Sequence, residues 1–365
     1  MKERRHKKSD RIYVVSNLFP SKRYPGYGTY VENFCKNLDM LNMPYKVIAL
    51  HRHSDRKMIL IFDYLYYYLR IVLRLLFTRY DSVYVHYPTH SVIPLSFVRL
   101  FLKKRLYVNL HGGDLLPTTG IQRFFREPVT KLTKACYKLI VPSPYFAGKV
   151  LEVYPELRDR IRIYPSGGVD NTVFYPVEHH PIKRPYRVGF VGRVTAGKGW
   201  QLLLDAFRLL NRDPRFADSE LCIFGDGDET EKLQHAVRHI EGNVRYCGSV
   251  EHSTLAEHYR DMDLFCLPTL FDESLGLSVI EAMSCGVIPL VSDCGSFREF
   301  IEEGDSGFFL PPHFTAADIR DRMREILTMP ADEQARVSRN CVANAQPYRT
   351  DLIAPILAEI LEDEI

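Results

Sequence analysis

The chain predicts an α/β protein built from two doubly wound domains, and three observations carry the prediction. Short apolar runs of strand length alternate with longer amphipathic segments almost throughout, as strands joined by crossover helices require. A proline-rich stretch without period, residues 175–185, interrupts that alternation near the middle. The length of 365 residues suits two cores of ordinary size better than one.

Taken in order, the first series of apolar runs places strands at 11–16, 45–50, 82–86, 105–110, 138–142 and 161–164. The second places them at 186–191, 220–224, 244–247, 263–267, 287–292 and 307–310. Continuous apolar runs of this length fit parallel strands covered on both faces. The implied division is a first domain over 1–182, a second over 183–348, and a tail over 349–365. In the tail Leu352, Ile353, Ile356, Leu357, Ile360 and Leu361 share one helix face, so that helix should dock on a neighbouring surface. Sheets of this kind bind ligands beyond the carboxyl ends of their strands.

Composition narrows the class. A 46% hydrophobic, 25% charged chain is a folded protein rather than a disordered one. The net charge of +3 hides an asymmetry: residues 1–185 hold 31 Lys+Arg against 14 Asp+Glu, a net +17, and the remainder 17 against 31, a net −14. A basic first half is drawn to phosphate, anionic lipid or nucleic acid alike. Cysteines 35, 136, 222, 247, 266, 285, 294 and 341 are scattered without a C-x-x-C pair and read as thiols of a reducing compartment. The charged start runs directly into the first strand without a signal-peptide core, so a cytoplasmic protein is expected.

Residues 58–80 are apolar and tyrosine-rich, but Asp63, Arg70 and Arg74 interrupt them, so they do not read as a membrane span. Those charges share one helix face. Two readings stay open, a helix packed on the first sheet and a helix partly inserted at a membrane interface.

Several segments carry chemistry. Gly192-Arg193-Val194-Thr195-Ala196-Gly197-Lys198-Gly199 joins a strand to a helix, and nearly forms a P-loop. Gly199 stands where a P-loop needs Ser or Thr to hold Mg²⁺, which argues against an NTPase. Two fixed cations there suit a diphosphate that gains charge as it departs. Asp226-Gly227-Asp228 could suggest a metal-bound diphosphate, but the surrounding glycines and Glu229 read better as a strand-to-helix turn. No other grouping has metal-ligand spacing, so no metal is expected. In residues 20–32 glycines allow backbone to approach a ligand closely. His111-Gly112-Gly113-Asp114 follows a strand, which favours a functional His111 over a merely structural one. Glu273 precedes a helix and Glu281 lies about two turns inside it, with the amides of Ser274, Leu275, Gly276 and Leu277 opening between them.

These segments together resemble the retaining nucleotide-sugar glycosyltransferases of family 4, or group 1. The resemblance rests on the E-x7-E pair Glu273 and Glu281, the Arg193/Lys198 segment, Gly225-Asp226-Gly227 with Glu229, and the H-G-x-D at His111. Pro165-Ser166-Gly167-Gly168-Val169-Asp170 and Cys285-Gly286-Val287-Ile288-Pro289 extend it over nearly the whole chain. It implies the GT-B architecture, two doubly wound Rossmann-like domains facing a central cleft, with acceptors on the first domain and the final helix crossing back to it. It assigns Arg193 and Lys198 to the donor pyrophosphate, Glu281 to ribose hydroxyls, Glu273 to the donor sugar, and His111 to the sugar or its phosphate-side oxygens. The implied catalytic set is His111, Glu273, Arg193 and Lys198, and the donor-binding set adds Gly28, Ser274, Leu275, Gly276, Leu277 and Glu281.

The implied reaction moves a sugar from a nucleoside diphosphate to a glycan or lipid-linked hydroxyl, in cell-surface polysaccharide or lipopolysaccharide synthesis. The nucleotide sugar is substrate and no cofactor is required. An anionic membrane surface is a candidate partner, at the inner face of the cell membrane, and nucleic acid is not. The rivals are a sugar-nucleotide epimerase of the same fold, a soluble α-glucan synthase, and a non-enzymatic binding module or nucleic-acid protein, which would explain the charge but not the E-x7-E and Arg/Lys pair.

Overall fold

The computed structural model describes residues 11–21, 25–50, 56–115, 119–177, 182 and 184–362. The basic start, part of the first glycine loop and most of the proline-rich stretch beyond 177 lie outside the described residues. The chain divides into two compact units, the first comprising Met1–Lys22, Tyr27–Gly167 and Asp351–Ile365, the second Arg23–Gly26 and Gly168–Thr350.

The first unit is a six-stranded parallel sheet of β1 (Ile12–Ser16), β2 (Tyr45–Ala49), β3 (Ser82–His86), β4 (Arg105–Asn109), β5 (Lys138–Val141) and β6 (Ile161–Ile163), ordered β2-β1-β3-β4-β5-β6. Period-two alternation sends its side chains to two separate apolar layers. Tyr13, Val15, Val83, Val85, Leu106 and Val108 meet helices α2 (Lys57–Phe77), α3 (Val92–Arg99), α5 (Arg126–Lys134) and α6 (Pro144–Val153), with the short α4 (Gly120–Phe124) beside α5. Ile12, Val14, Tyr84, Tyr107 and Ile140 face the other way, toward α1 (Thr29–Met40) and the chain's last helix, Thr350–Glu362. That last helix buries Ile353, Leu357, Ile360 and Leu361 in this layer. The fully buried Lys138 donates from Nζ to the Ile360 carbonyl at 2.9 Å, a cation at the negative end of the helix.

The second unit repeats the plan with β7 (Arg187–Val191), β8 (Glu220–Phe224), β9 (Asn243–Gly248), β10 (Leu264–Leu267), β11 (Ile288–Ser292) and β12 (Phe308–Leu310), all parallel and ordered β12-β11-β10-β7-β8-β9. Helices α7 (Trp200–Leu210), α8 (Thr230–His239), α9 (His252–Arg260), α10 (Leu277–Ser284), α11 (Ala316–Leu327) and α12 (Ala331–Ala345) cover it around one apolar core. All twelve strands fall on the apolar runs of the sequence.

The division between units sits at Gly167–Gly168, not at 182–183. Val169 and Phe174 are already part of the second core, so the proline-rich stretch follows the boundary instead of forming it. Both glycines have positive φ, 88° and 74°, and turn the backbone at the crossing.

Candidate active site

In the second sheet the chain runs from β7 to β8 in one direction and from β10 to β11 in the other, so the adjacent pair β7/β10 is the topological switch point. The two loops that leave it carry the motifs. The loop after β7 ends in a helical turn, Ala196–Lys198, and then Gly199 caps α7. The loop after β10 runs to Gly276, which caps α10. The loops are bonded to each other. Leu270 N donates to the Gly197 carbonyl at 2.7 Å, Thr269 Oγ1 lies 3.3 Å from the same oxygen, and the Phe271 ring occupies the space beside Gly197.

Gly199 is required by this approach. Its φ of +74° is left-handed, and a Cβ there would stand 1.8 Å from the Pro268 carbonyl oxygen. Gly199→Ala is therefore expected to cost about 1–2 kcal/mol from the backbone conformation alone, and more from the clash that separates the loops. Urea unfolding read alongside activity checks this, with both falling together.

Across the joined loops Lys198 Nζ donates to Glu273 Oε1 at 2.5 Å, with side chains only 14% and 13% exposed. Thr269 Oγ1 donates to the same carboxylate oxygen at 3.0 Å, and the Glu273 main chain is held by Ser296 N at 3.0 Å. Glu273 is thus fixed in both side chain and backbone. Arg193, by contrast, is exposed, and among the described residues no hydrogen bond or ion pair holds its guanidinium. Gly276 adopts φ 80° and caps α10 without a side-chain bond, so the first amides of that helix retain their donor capacity. Leu275 is buried beneath them, Ser274 and Leu277 are half-buried at the helix start, and Ser296 Oγ ties the Leu275 carbonyl at 3.0 Å.

Glu281 sits deeper, 5% exposed on α10. Oε1 lies 2.7 Å from His252 Nε2 at the start of α9, and Oε2 accepts from the buried Tyr259 hydroxyl at 3.1 Å. Burial and the Glu281 charge push the Tyr259 phenol well above its ordinary range, so it remains a donor. Each carboxylate oxygen keeps one acceptor position beyond these bonds. His252, Tyr259 and Thr269 escape the sequence reading. His252 and Tyr259 lie 29 and 22 residues before Glu281, and the packing of α9 on α10 alone brings them to it. Thr269, four residues before Glu273, could have been found as a hydroxyl within the same loop.

The Asp-x-Asp is held as a turn. Asp226 accepts from Tyr246, while the buried Glu229 binds Trp200 Nε1 at 3.1 Å and Gln201 Nε2 at 2.8 Å, fastening the loop ahead of α8 to α7. Among the described residues no group of three His, Cys, Asp or Glu is placed to hold a metal ion.

His111 and Gly28 belong to the first unit, whose own switch point is the pair β1/β3. Gly28 caps α1 with φ +76°, and a Cβ would meet the Leu18 carbonyl at 2.7 Å, so the turn itself demands glycine. His111 follows β4, with Nε2 3.2 Å from Nδ1 of the fully buried His86 and its ring 4.2 Å from that of Tyr30. Burial pushes the His111 imidazole down to about 3 and His86 well below its usual range, so both rings are neutral. Asp114 caps this turn, accepting from His111 N at 3.2 Å and Thr89 Oγ1 at 2.7 Å, and burial lifts its carboxyl to about 7 against those bonds.

Residues 175–345 match the family model described as glycosyl transferases group 1. The chain is 34% identical over 164 residues to the phosphatidyl-myo-inositol mannosyltransferase of Mycolicibacterium smegmatis, which is 44% of this chain and 40% of that protein. It is 25% identical over 315 residues to the D-inositol 3-phosphate glycosyltransferase of Paenarthrobacter aurescens, 81% of this chain and 76% of that one. In fold it is similar to the sucrose-phosphate synthase of Thermosynechococcus elongatus, with a TM-score of 0.77 and 18% identity over 96% of this chain and 98% of that one. Anabaena HepE, solved with UDP and glucose, gives a TM-score of 0.70 and 17% identity over 96% and 99%. The segment of residues 175–345, which holds Arg193, Lys198 and both glutamates, belongs to the glycosyl transferases group 1 family, on a chain with the GT-B fold.

Proposed function

We propose that the chain transfers a sugar, with retention at its anomeric carbon, from a nucleoside diphosphate to a hydroxyl of a glycan or lipid-linked acceptor in cell-surface polysaccharide or lipopolysaccharide synthesis. The observation that carries this reading is the switch point of the second sheet, where an exposed arginine, a lysine–glutamate pair and the open amides of a helix start share two bonded loops. A diphosphate needs distributed positive charge, most of all as it leaves. Arg193 supplies one cation. Lys198 has three donor hydrogens, and its bond to Glu273 uses one, leaving two for phosphate oxygens. The amides at the head of α10 favour an anion in the same way.

Glu273, immobilised by Lys198 and Thr269, serves to orient the hydroxyls of the donor sugar, and Glu281 serves to accept from ribose hydroxyls through its remaining lone pairs. His111 and Gly28 keep the donor contacts that the motif resemblance implies. Retention then proceeds by front-face attack, with the leaving phosphate oxygen taking the acceptor's proton, so the protein positions the partners and stabilises charge. Arg193, Lys198 and the helix amides supply the positive charge, and no metal or cofactor enters the proposal. The matches to a phosphatidyl-myo-inositol mannosyltransferase and to a protein solved with UDP and glucose support a nucleotide-sugar donor and a phosphate-bearing acceptor, which also suits the basic first half.

Incubation with UDP-, GDP- and ADP-sugars, with and without lipid-phosphate and glycan acceptors, tests this. Acceptor-dependent release of the nucleoside diphosphate with a product of unchanged anomeric configuration is expected. Epimerisation of the donor without transfer would make the chain an epimerase, and a covalent sugar trapped on Glu273 would replace front-face attack by double displacement.

A further inference from the structure

One helix of the first unit is apolar on both sides. Helix α2 buries Tyr67, Ile71 and Leu75 against the sheet layer. Two of its charges leave the opposite, outward face: Asp63 is buried, and Arg70 turns inward to donate to the Ala49 carbonyl at 3.2 Å. The outward face instead carries Met58, Phe62, Leu65, Leu69, Leu73 and Phe77, at successive spacings of three or four residues and between 46% and 77% exposed. Such spacing makes one continuous stripe, about 30 Å long for a 21-residue helix. Helix α3 packs beside α2 and extends the apolar surface through Phe97, Leu100 and Phe101, the last two 78% and 63% exposed. Exposed apolar surface of this extent marks a place of interaction.

The charges around it indicate the partner. Arg74 and Arg79 are exposed at the end of α2, and Lys103 and Lys104 just beyond α3. Between residues 57 and 105 the acids are Asp63, which is buried, and Asp81, which accepts from the Arg11 backbone amide at 2.9 Å. A second copy set with the same face against this one would bring cations against cations without acids to answer them. A lipid surface with anionic headgroups meets both halves of the pattern, acyl chains for the stripe and phosphates for its basic ends. The stripe does not lie on a spanning segment, since among the described residues no helix is long and apolar enough to cross a bilayer.

We propose that the outward face of α2 and α3 seats the first unit on an anionic lipid surface, with α2 lying in the plane of the headgroups. The seating is independent of the transfer reaction, because vesicle binding reads it without turnover.

The test is flotation of the full chain with vesicles of phosphatidylcholine alone and of phosphatidylcholine with phosphatidylglycerol, at low and high salt. Binding to the anionic vesicles at low salt is expected, weakened by salt. Leu65→Gln and Leu69→Gln should each weaken it about tenfold, since each removes an apolar side chain from the acyl boundary. Lys103→Gln and Lys104→Gln should each weaken it about fivefold and flatten the salt dependence. All four positions are exposed, so the unfolding midpoint should not fall in these variants, and that measurement separates lost seating from lost fold. The proposal is overturned if the wild-type chain ignores anionic vesicles, or if the leucine variants bind them as well as the wild type. It is overturned equally if sedimentation shows a dimer that Leu65→Gln dissolves while vesicles are ignored, for the stripe is then an interface between copies.

Discussion

Replacing Arg193 by alanine lowers kcat by roughly 10²–10³-fold, about 2.7–4 kcal/mol of barrier, and leaves the unfolding midpoint where it was. The two halves of this expectation come from the same observation. An exposed guanidinium without a hydrogen-bond or ion-pair partner among the described residues contributes nothing that unfolding would lose, whereas a departing diphosphate would lose a fixed counter-charge. Lys198→Ala should behave differently. It too removes a cation from the diphosphate, but it also strips Glu273 of its cationic partner in a poorly solvated setting, with Thr269 alone left on the carboxylate among the described residues. Its loss of activity should therefore come with a lower unfolding midpoint and should not add to that of Glu273→Ala, since the two residues act as one bonded unit. Steady-state kinetics and urea unfolding on these variants and on the double variant check both statements. Equal activity in Arg193→Ala and the wild type would remove the arginine from the chemistry.

Glu281→Ala is expected to strike both stability and donor binding. It removes the carboxylate that the His252 ring and the Tyr259 hydroxyl share, at about 1–3 kcal/mol for the buried Tyr259 hydroxyl that loses its acceptor. It also deletes the carboxylate proposed for the ribose. The contributions separate in a second variant, Glu281→Ala with His252→Phe and Tyr259→Phe, in which both polar partners of the carboxylate are gone. Stability should recover in large part there, while affinity for a nucleoside diphosphate should not. Recovery of both would show that Glu281 is a structural group alone, and recovery of neither would mean that repacking around α9 and α10 fails. Urea unfolding and calorimetric titration make the comparison.

The architecture was legible because parallel strands covered on both faces must be short apolar runs, and such runs as Ile12–Ser16 and Leu264–Leu267 admit few other structures. The loops after β7 and β10 were legible for a related reason. Glycines at left-handed positions, such as Gly199 and Gly276, cannot be exchanged freely, so they stand out in sequence beside the charged residues they position. The partners of those charges were not legible. Which group satisfies Glu281 depends on α9 crossing α10, a long-range packing event that leaves no spacing to read. The boundary at Gly167–Gly168 was missed for the opposite reason, a strong local signal in the wrong place: prolines mark irregular backbone, and here the irregular backbone is already anchored to the second core through Val169 and Phe174. Helix α2 shows a further limit. Its sequence fits packing and surface exposure alike because both faces are apolar, and only the structure shows which residues the sheet covers.

The account turns on the two loops at the β7/β10 switch point gripping a nucleoside diphosphate. Calorimetric titration of UDP, GDP and ADP into the full chain tests that directly. At least one of the three should bind at a single site, and Arg193→Ala and Lys198→Ala should each weaken it about tenfold or more, as charge-assisted bonds to phosphate do. Absence of binding by all three, or an affinity that both substitutions leave unchanged, would contradict it.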